Sequence, residues 1–263
     1  MTAPSVRPLQ TLEEYRAAQE LQRRTWGITG EGYLMPVSLM VSIQHAGGLV
    51  LGAFDDGRLV GFSMAYLGRV RGELALYSQL TAVDPGEQAR GVGGRLKEGQ
   101  REWARAQGLK LMAWTFDPLQ AGNANFNVHR LGATSRTYLV NHYGERLDAL
   151  NTGLPTDRLL VEWRVDDVAR RWLGDGQLTP LVDDHDGRPR IHDVTLTADL
   201  TLRVCIPRDI AKLKDTDLAL AQAWQDALRT TLPRAFSAGY LVMDFRRSEV
   251  TAHYLLRKPE EER

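Results

Sequence analysis

The sequence predicts a mixed α/β protein with a largely antiparallel central sheet flanked by helices, followed by an α+β C-terminal region. Apolar residues recur at helical spacing over residues 12–46 and at strand spacing over 48–83; strands and helices then take turns to residue 140. The 263 residues are 43% apolar and 25% charged, ordinary for a soluble globular chain and enough to bury a core without disulfides. Six Trp, six Phe and eight Tyr exclude wholesale disorder.

Residues 5–9 (SVRPL) read as a short strand. Thr11 can cap a helix through LEEYRAAQELQRRTW, where Leu12, Tyr15, Ala18 and Leu21 keep near-helical spacing. Pro36 suits the start of a second helix, PVSLMVSIQHA, which Gly47-Gly48 ends. GLVLGAF (48–54), a turn at Asp55-Asp56-Gly57 and LVGFSMAYLG (59–68) read as an antiparallel hairpin, with ELALYSQLTAV (73–83) as the next strand. A glycine-rich stretch then opens a helix that runs to Gln107 and stops at Gly108. KLMAWTF (110–116), a helix within DPLQAGNANFNVHRLGA, TSRTYLV (134–140) and DRLLVEWRV (157–165) complete a first part, residues 1–165, ordered β-α-α-β-β-β-α-β-α-β-β.

In residues 166–263 short strands are expected at 178–182, 189–195 and 199–206. A helix at 215–236 carries Leu220, Trp224, Ala227, Leu228 and Leu232 on one stripe, most simply core. The chain closes with a hairpin of 239–245 and 249–256. The pattern fits either an independent domain or an extension of the first sheet.

Lys plus Arg equals Asp plus Glu at 33 each, and no long basic run appears, so nucleic acid is not an expected partner. Only five cations are Lys, a bias read as coding habit. The single Cys205, in LRVCIP, cannot form an internal disulfide and reads as a small buried hydrophobe. No apolar stretch reaches membrane-helix length, and MTAPSVRPLQTLEEYR holds no apolar signal core. The expectation is a reduced cytoplasmic protein.

The most informative segment is AVDPGEQARGVGGRLKEGQ, where a strand ends at Val83 and Gly91, Gly93 and Gly94 open a helix. Helix N-terminal amides lack intrahelical partners, and the dipole adds positive potential, so this is a potential anion site. Arg90 and Arg95 can add charge from the rim. A Walker loop fails because Arg95-Leu96 stands where Lys-Ser/Thr is needed, and a dinucleotide fingerprint fails at Leu96.

The full spacing of Val83, Pro85, Gln88, Gly91 and Gly93 resembles V-x-P-x-x-(Q/R)-x-x-G-x-(G/A), the acyl-CoA-binding motif of the GNAT superfamily of N-acyltransferases. The order of elements across residues 5–140 is similar to the GNAT fold, with the loop between its fourth strand and third helix. The resemblance covers roughly the first 60% of the chain. It implies direct acyl transfer from acetyl-CoA, or another acyl-CoA, to an amine. Backbone groups of the fourth strand, here Leu80, Thr81, Ala82 and Val83, would hold the pantetheine and polarise the thioester carbonyl. Gln88, Ala89, Arg90, Gly91, Val92, Gly93 and Gly94 would form the pyrophosphate loop, with Arg95 just beyond.

The next helix departs from the family. Leu131-Gly132-Ala133 match its usual ending, but position 128, where the Tyr that protonates the leaving thiolate is expected, is Val. Asn123 or Asn125 can take the place of the family's Asn at the helix start. His129 and Tyr138 are replacement acids, with Tyr143 a further one, and Asp117 and Glu73 are candidate bases. Each also has a bland reading: His129 as a surface residue beside Arg130, the tyrosines as packing, Asp117 as a turn former before Pro118.

His142-Tyr143 and Asp157-Arg158 flank loops and read as turn or ion-pair residues as readily as substrate readers. DDHDGRPRIHD offers His185, His192 and four Asp, yet its Asp-Gly-Arg-Pro centre reads as a hairpin turn, so no metal is expected. The expected activity is acyl transfer to the amine of a small molecule, in a monomer or homodimer, with 166–263 shaping the acceptor site. The competing readings are a CoA-binding protein without catalysis and an interaction protein whose C-terminal hairpin lends a strand to a partner.

Overall fold

A computed structural model of the chain describes residues 3–28, 30–144, 153–167, 177–248 and 251–259. The chain forms two compact units. One comprises the described residues of Met1–Trp114 and Arg164–Asp166, the other those of Thr115–Leu147, Asn151–Trp163 and Asp167–Arg263.

The first unit holds β1 (Ser5–Pro8), α1 (Leu12–Trp26), α2 (Val37–His45), β2 (Leu49–Asp55), β3 (Arg58–Val70), β4 (Glu73–Val83), α3 (Val92–Ala106) and the start of β5 (Leu111–Phe116). Its sheet runs β1-β2-β3-β4-β5, antiparallel except for the parallel β4–β5 pair. Alternation along the strands decides which residues face which helix. Val50, Phe62, Met64 and Ala82 pack with Leu9, Tyr15, Ala18, Leu21 and Met40 beneath α1 and α2. Leu49, Leu51, Ala53 and Val60 pack with Val92 and Leu96 of α3 on the other face.

Local chemistry sets the helix ends. The Thr11 hydroxyl accepts from the Glu14 N–H while the Glu14 carboxylate accepts from the Thr11 N–H, a reciprocal cap. Gly27 closes α1 in the left-handed region at φ 59°. Gly61 lets α3 ride close on the sheet, because a Cβ there would stand 2.8 Å from Val92 Cγ1.

The second unit holds α4 (Ala121–Ala124), β6 (Thr134–Leu139), β7 (Arg158–Arg164), β8 (Leu178–His185), β9 (Arg188–Ile191), β10 (Thr201–Ile206), α5 (Ile210–Thr216), α6 (Leu218–Ser237), β11 (Leu241–Arg247) and β12 (Ala252–Arg257). Its strand order is β7-β6-β11-β12-β10-β8-β9. β11 pairs with β6 at Val242↔Ser135 and β12 pairs with β10, so the C-terminal strands extend the sheet that β6 and β7 begin. The closing hairpin therefore has both edges covered by its own chain and does not present the free strand that the interaction reading requires.

Two expectations change in detail. The helix expected at 215–236 is α6, which the Asp217 carboxylate caps through the Leu220 N–H, and a short α5, not expected from the sequence, precedes it. The helix within 117–133 is one turn of α4 followed by a π turn, Asn125–Arg130, in which the Leu131 N–H reaches back to the Phe126 carbonyl. The Trp224 stripe is core: that ring is buried and its Nε1 donates to the Gly187 carbonyl. DDHDGRPR forms the β8–β9 hairpin, and Asp183 pairs with His192 and Arg203.

Candidate active site

Asp84 leaves β4 with its N–H bonded to the Val60 carbonyl, and its side chain accepts from the Gly86 N–H. A tight turn over Pro85–Arg90 leads to Gly91, whose φ of 75° is open to glycine at little strain. α3 begins at Val92, and no side chain caps it. The amides of its first turn therefore lack the side-chain acceptor that most helices carry there, at the positive end of a four-turn dipole.

The loop is pinned by ion pairs. Arg58 reaches Glu87 at 2.7 Å, Arg90 reaches Asp55 at 2.5 Å and Glu87 at 2.7 Å, and Arg24 reaches Asp84 at 3.5 Å. Arg90 thus braces the turn against β2, where the sequence offered it as a rim charge. Arg95 is exposed and, among the described residues, without an ion-pair partner. Gln88 is exposed, Ala82 buried, and Thr81 and Val83 half-buried.

The strand that feeds the loop is irregular in a useful way. The β3–β4 register shifts between Met64↔Leu80 and Ala65↔Ser78, which leaves Gln79 as an extra residue in β4. On its other edge β4 meets β5 at Leu76↔Met112 and Tyr77↔Ala113. Among the described residues the pairing stops there, and the β4 edge from Ser78 to Val83 has no strand partner.

The candidate proton carriers lie in the second unit. His129, on the π turn, places Nδ1 2.9 Å from Asp244 Oδ1, with the His side chain 42% exposed and the Asp buried. That contact fixes one ring nitrogen and leaves Nε2 for other partners. Asp117 accepts from the Leu119 N–H at 2.9 Å, the turn-forming role, while burial pushes its carboxyl up. Tyr138 donates to Asp157 at 2.7 Å, and burial together with that carboxylate holds its phenol well above the ordinary range. Asp157 also accepts from Arg229 at 2.6 and 2.9 Å and from the Asn141 N–H at 2.9 Å. Tyr138 is thus tied into a buried network, Tyr143 bonds Thr115 at 2.9 Å, and Val128 is buried. Asn123 is exposed and Asn125 half-buried. In the first unit Glu73 pairs with Arg164 at 2.5 Å.

Residues 13–132 match the acetyltransferase (GNAT) family. This stretch is a GNAT domain. No curated protein matches the chain. Among solved structures, YncA of Salmonella typhimurium, with its cofactor acetyl-CoA, superposes at a TM-score of 0.52 and 17% identity, covering 66% of this chain and 100% of its own. A protein from Streptococcus mutans UA159 gives 0.51 and 14%, covering 62% and 99%. An N-acetyltransferase from Staphylococcus aureus Mu50 gives 0.50 and 13%, covering 63% and 100%. At these identities the likeness establishes the GNAT fold.

Two residues of interest escaped the sequence reading. Asp244 stands 115 positions from His129 on the last hairpin, and no local pattern announces it. Lys97, in the GNAT domain, is 3% exposed, and an unusual signal was present: a Lys beside Leu96 on the apolar stripe of α3.

Proposed function

We propose that the protein transfers an acyl group, acetyl in the first instance, from acyl-CoA to the amine of a small molecule by direct attack. The observation that carries this reading is the uncapped N-terminus of α3 behind a left-handed Gly91, at the end of a β4 whose outer edge, among the described residues, is free from Ser78 on. Such a terminus suits a pyrophosphate, and such an edge suits the amides of a pantetheine chain, which can add to it as a short strand would. YncA, a neighbour in fold, carries acetyl-CoA.

In this reading Thr81 to Val83 hold the pantetheine, and the amides of Gly91 to Gly94 hold the pyrophosphate, with Gln88 and the Arg95 side chain at the rim. Asn123 and Asn125 are further contacts. The attacking amine must be neutral, and the tetrahedral oxyanion needs donors. Asp117, with its raised carboxyl, is the candidate base. His129, oriented by Asp244, is preferred to Tyr138 for proton transfer because its Nε2, among the described residues, is not committed. Residues 1–165 are the catalytic part, 166–263 shape the acceptor site, and the setting is cytoplasmic, in a monomer or homodimer.

Calorimetric titration with acetyl-CoA, free CoA and ATP tests the donor side. Micromolar acetyl-CoA binding, clearly tighter than ATP, is expected; no binding of either CoA species removes the reading. An amine panel followed by thiol release then tests transfer. The buried Val128 favours one alternative, a CoA-binding protein without catalysis, and binding without turnover would identify it.

A further inference from the structure

Lys97 projects from the buried face of α3 in a chain whose cations are mostly Arg. Its Nζ stands 2.8 Å from Ser78 Oγ on β4 and 3.8 Å from the centroid of the Trp114 ring on β5. Ser78 and Trp114 are the first residues past Tyr77↔Ala113, the last rung of the β4–β5 pairing. The lysine therefore spans the two strands where they part.

A buried cation is expensive unless paired, and a hydroxyl with a ring face is a partial substitute for a carboxylate. Among the described residues no carboxylate pairs with Lys97, and burial alone pulls its amine down to about 7. The same helix and strands hold further buried polar groups. Among the described residues Gln100, one turn along α3, is fully buried with both ends of its amide unbonded to protein. Ser63 Oγ and Thr81 Oγ1, on directly opposed residues of β3 and β4, are buried and likewise unbonded among the described residues. A fork needed only for packing would be filled by apolar side chains, which pack there without these penalties.

We propose that Lys97 is the charge partner and proton donor of the departing CoA thiolate, a role that rests on the acyl-CoA reading above. When the C–S bond of the tetrahedral intermediate breaks, the sulfur keeps the electron pair and meets the Lys97 ammonium. One proton passes to it, giving free CoA thiol and a neutral amine. The acceptor nitrogen sheds one proton on becoming an amide, and that proton, passed through solvent, restores the ammonium. Lys can do this where Arg cannot, because the guanidinium does not release its proton in this range. On this proposal the thiolate takes its proton from Lys97 and not from His129, which is left to relay the proton that the acceptor nitrogen sheds; Val128 supplies none.

The test reads the ultraviolet absorbance of the thiolate of CoA bound to the full chain, titrated in wild type and Lys97→Met, a substitution of similar length suited to a buried site. In the range where Lys97 holds its proton, below about pH 7, wild type is expected to carry about tenfold more thiolate on bound CoA than Lys97→Met at the same pH. Equal titration in both proteins overturns the proposal. If Lys97→Met does not fold, Lys97→Arg decides: it keeps the charge and must keep the lowered ionisation, and a thiol that ionises as in free CoA overturns the proposal. Failure of wild type to bind CoA has a different signature, a flat calorimetric trace, and brings down the acyl-CoA reading together with this one.

Discussion

The glycine loop and the His129–Asp157 region are built by opposite means. Over 83–95 the groups that the proposed function uses are backbone amides, and their placement follows from Pro85, a left-handed Gly91 and a helix that begins at Val92. In the second unit side chains are brought together from afar: His129 with Asp244, and Asp157 with Arg229, 72 positions away. Backbone chemistry is written in consecutive residues, whereas side-chain constellations are written in the topology. The first kind can be read in a sequence; the second waits for the strand order.

The sharpest way to break this contrast is at His129. If the dyad moves protons, His129→Asn lowers turnover by about 10²–10⁴-fold with the fold retained, and Asp244→Asn gives a smaller loss. Thiol release with an acceptor from the amine panel measures both, and unchanged rates would leave the second unit without an assigned chemical role.

Asp157→Asn tests the other constellation through stability. It leaves Arg229 facing a neutral amide in a largely buried site, so a loss of about 3–5 kcal/mol is expected in melting at pH 7. Burial works to raise the Asp157 carboxyl, but the bonds from Arg229, Asn141 and Tyr138 outweigh it and leave the group below its usual value. A depressed folded-state value means stability present above the unfolded value of about 4 and lost as pH falls through the lower folded one. The gap between wild type and variant must therefore shrink in acid melts.

For the loop, Gly91→Glu puts negative charge and a Cβ at a left-handed residue, and acetyl-CoA affinity should fall about 100-fold, near 2.7 kcal/mol. Gly91→Asn, which tolerates that φ, should keep most of the affinity. Equal losses in both would mean that conformation, not anion binding, is what Gly91 serves. The smallest effect is at the cap of α1, where Thr11→Ala should cost about 1 kcal/mol of stability and leave CoA binding alone.

The same contrast explains what could be read in advance. The first unit follows from alternation, caps and turn residues: Thr11, Gly27, Pro36 and the Asp55-Asp56-Gly57 turn all act locally. The fold class and the GNAT resemblance came from those signals plus one spacing. The π turn at Asn125–Arg130 was not legible, because an added residue in a helical turn leaves no mark on composition. Neither was α5, a short helix that ends at the Asp217 cap before the Leu220–Leu232 stripe begins. Arg90 was legible as a cation, but its engagement by Asp55, 35 positions earlier, was not.

The placement of β11 and β12 also has a consequence for how the chain is made. β2, β3 and β4 are joined by consecutive hairpins, so that much of the first sheet can form as the chain leaves the ribosome. The second sheet cannot. Its middle strands are synthesised after the strands on either side of them, and until they arrive β6 has an unmet edge toward β11 and β10 an unmet edge toward β12. A nascent or truncated chain that stops short of Leu241 therefore carries two open strand edges, ready templates for a neighbouring chain, and β11 and β12 close both.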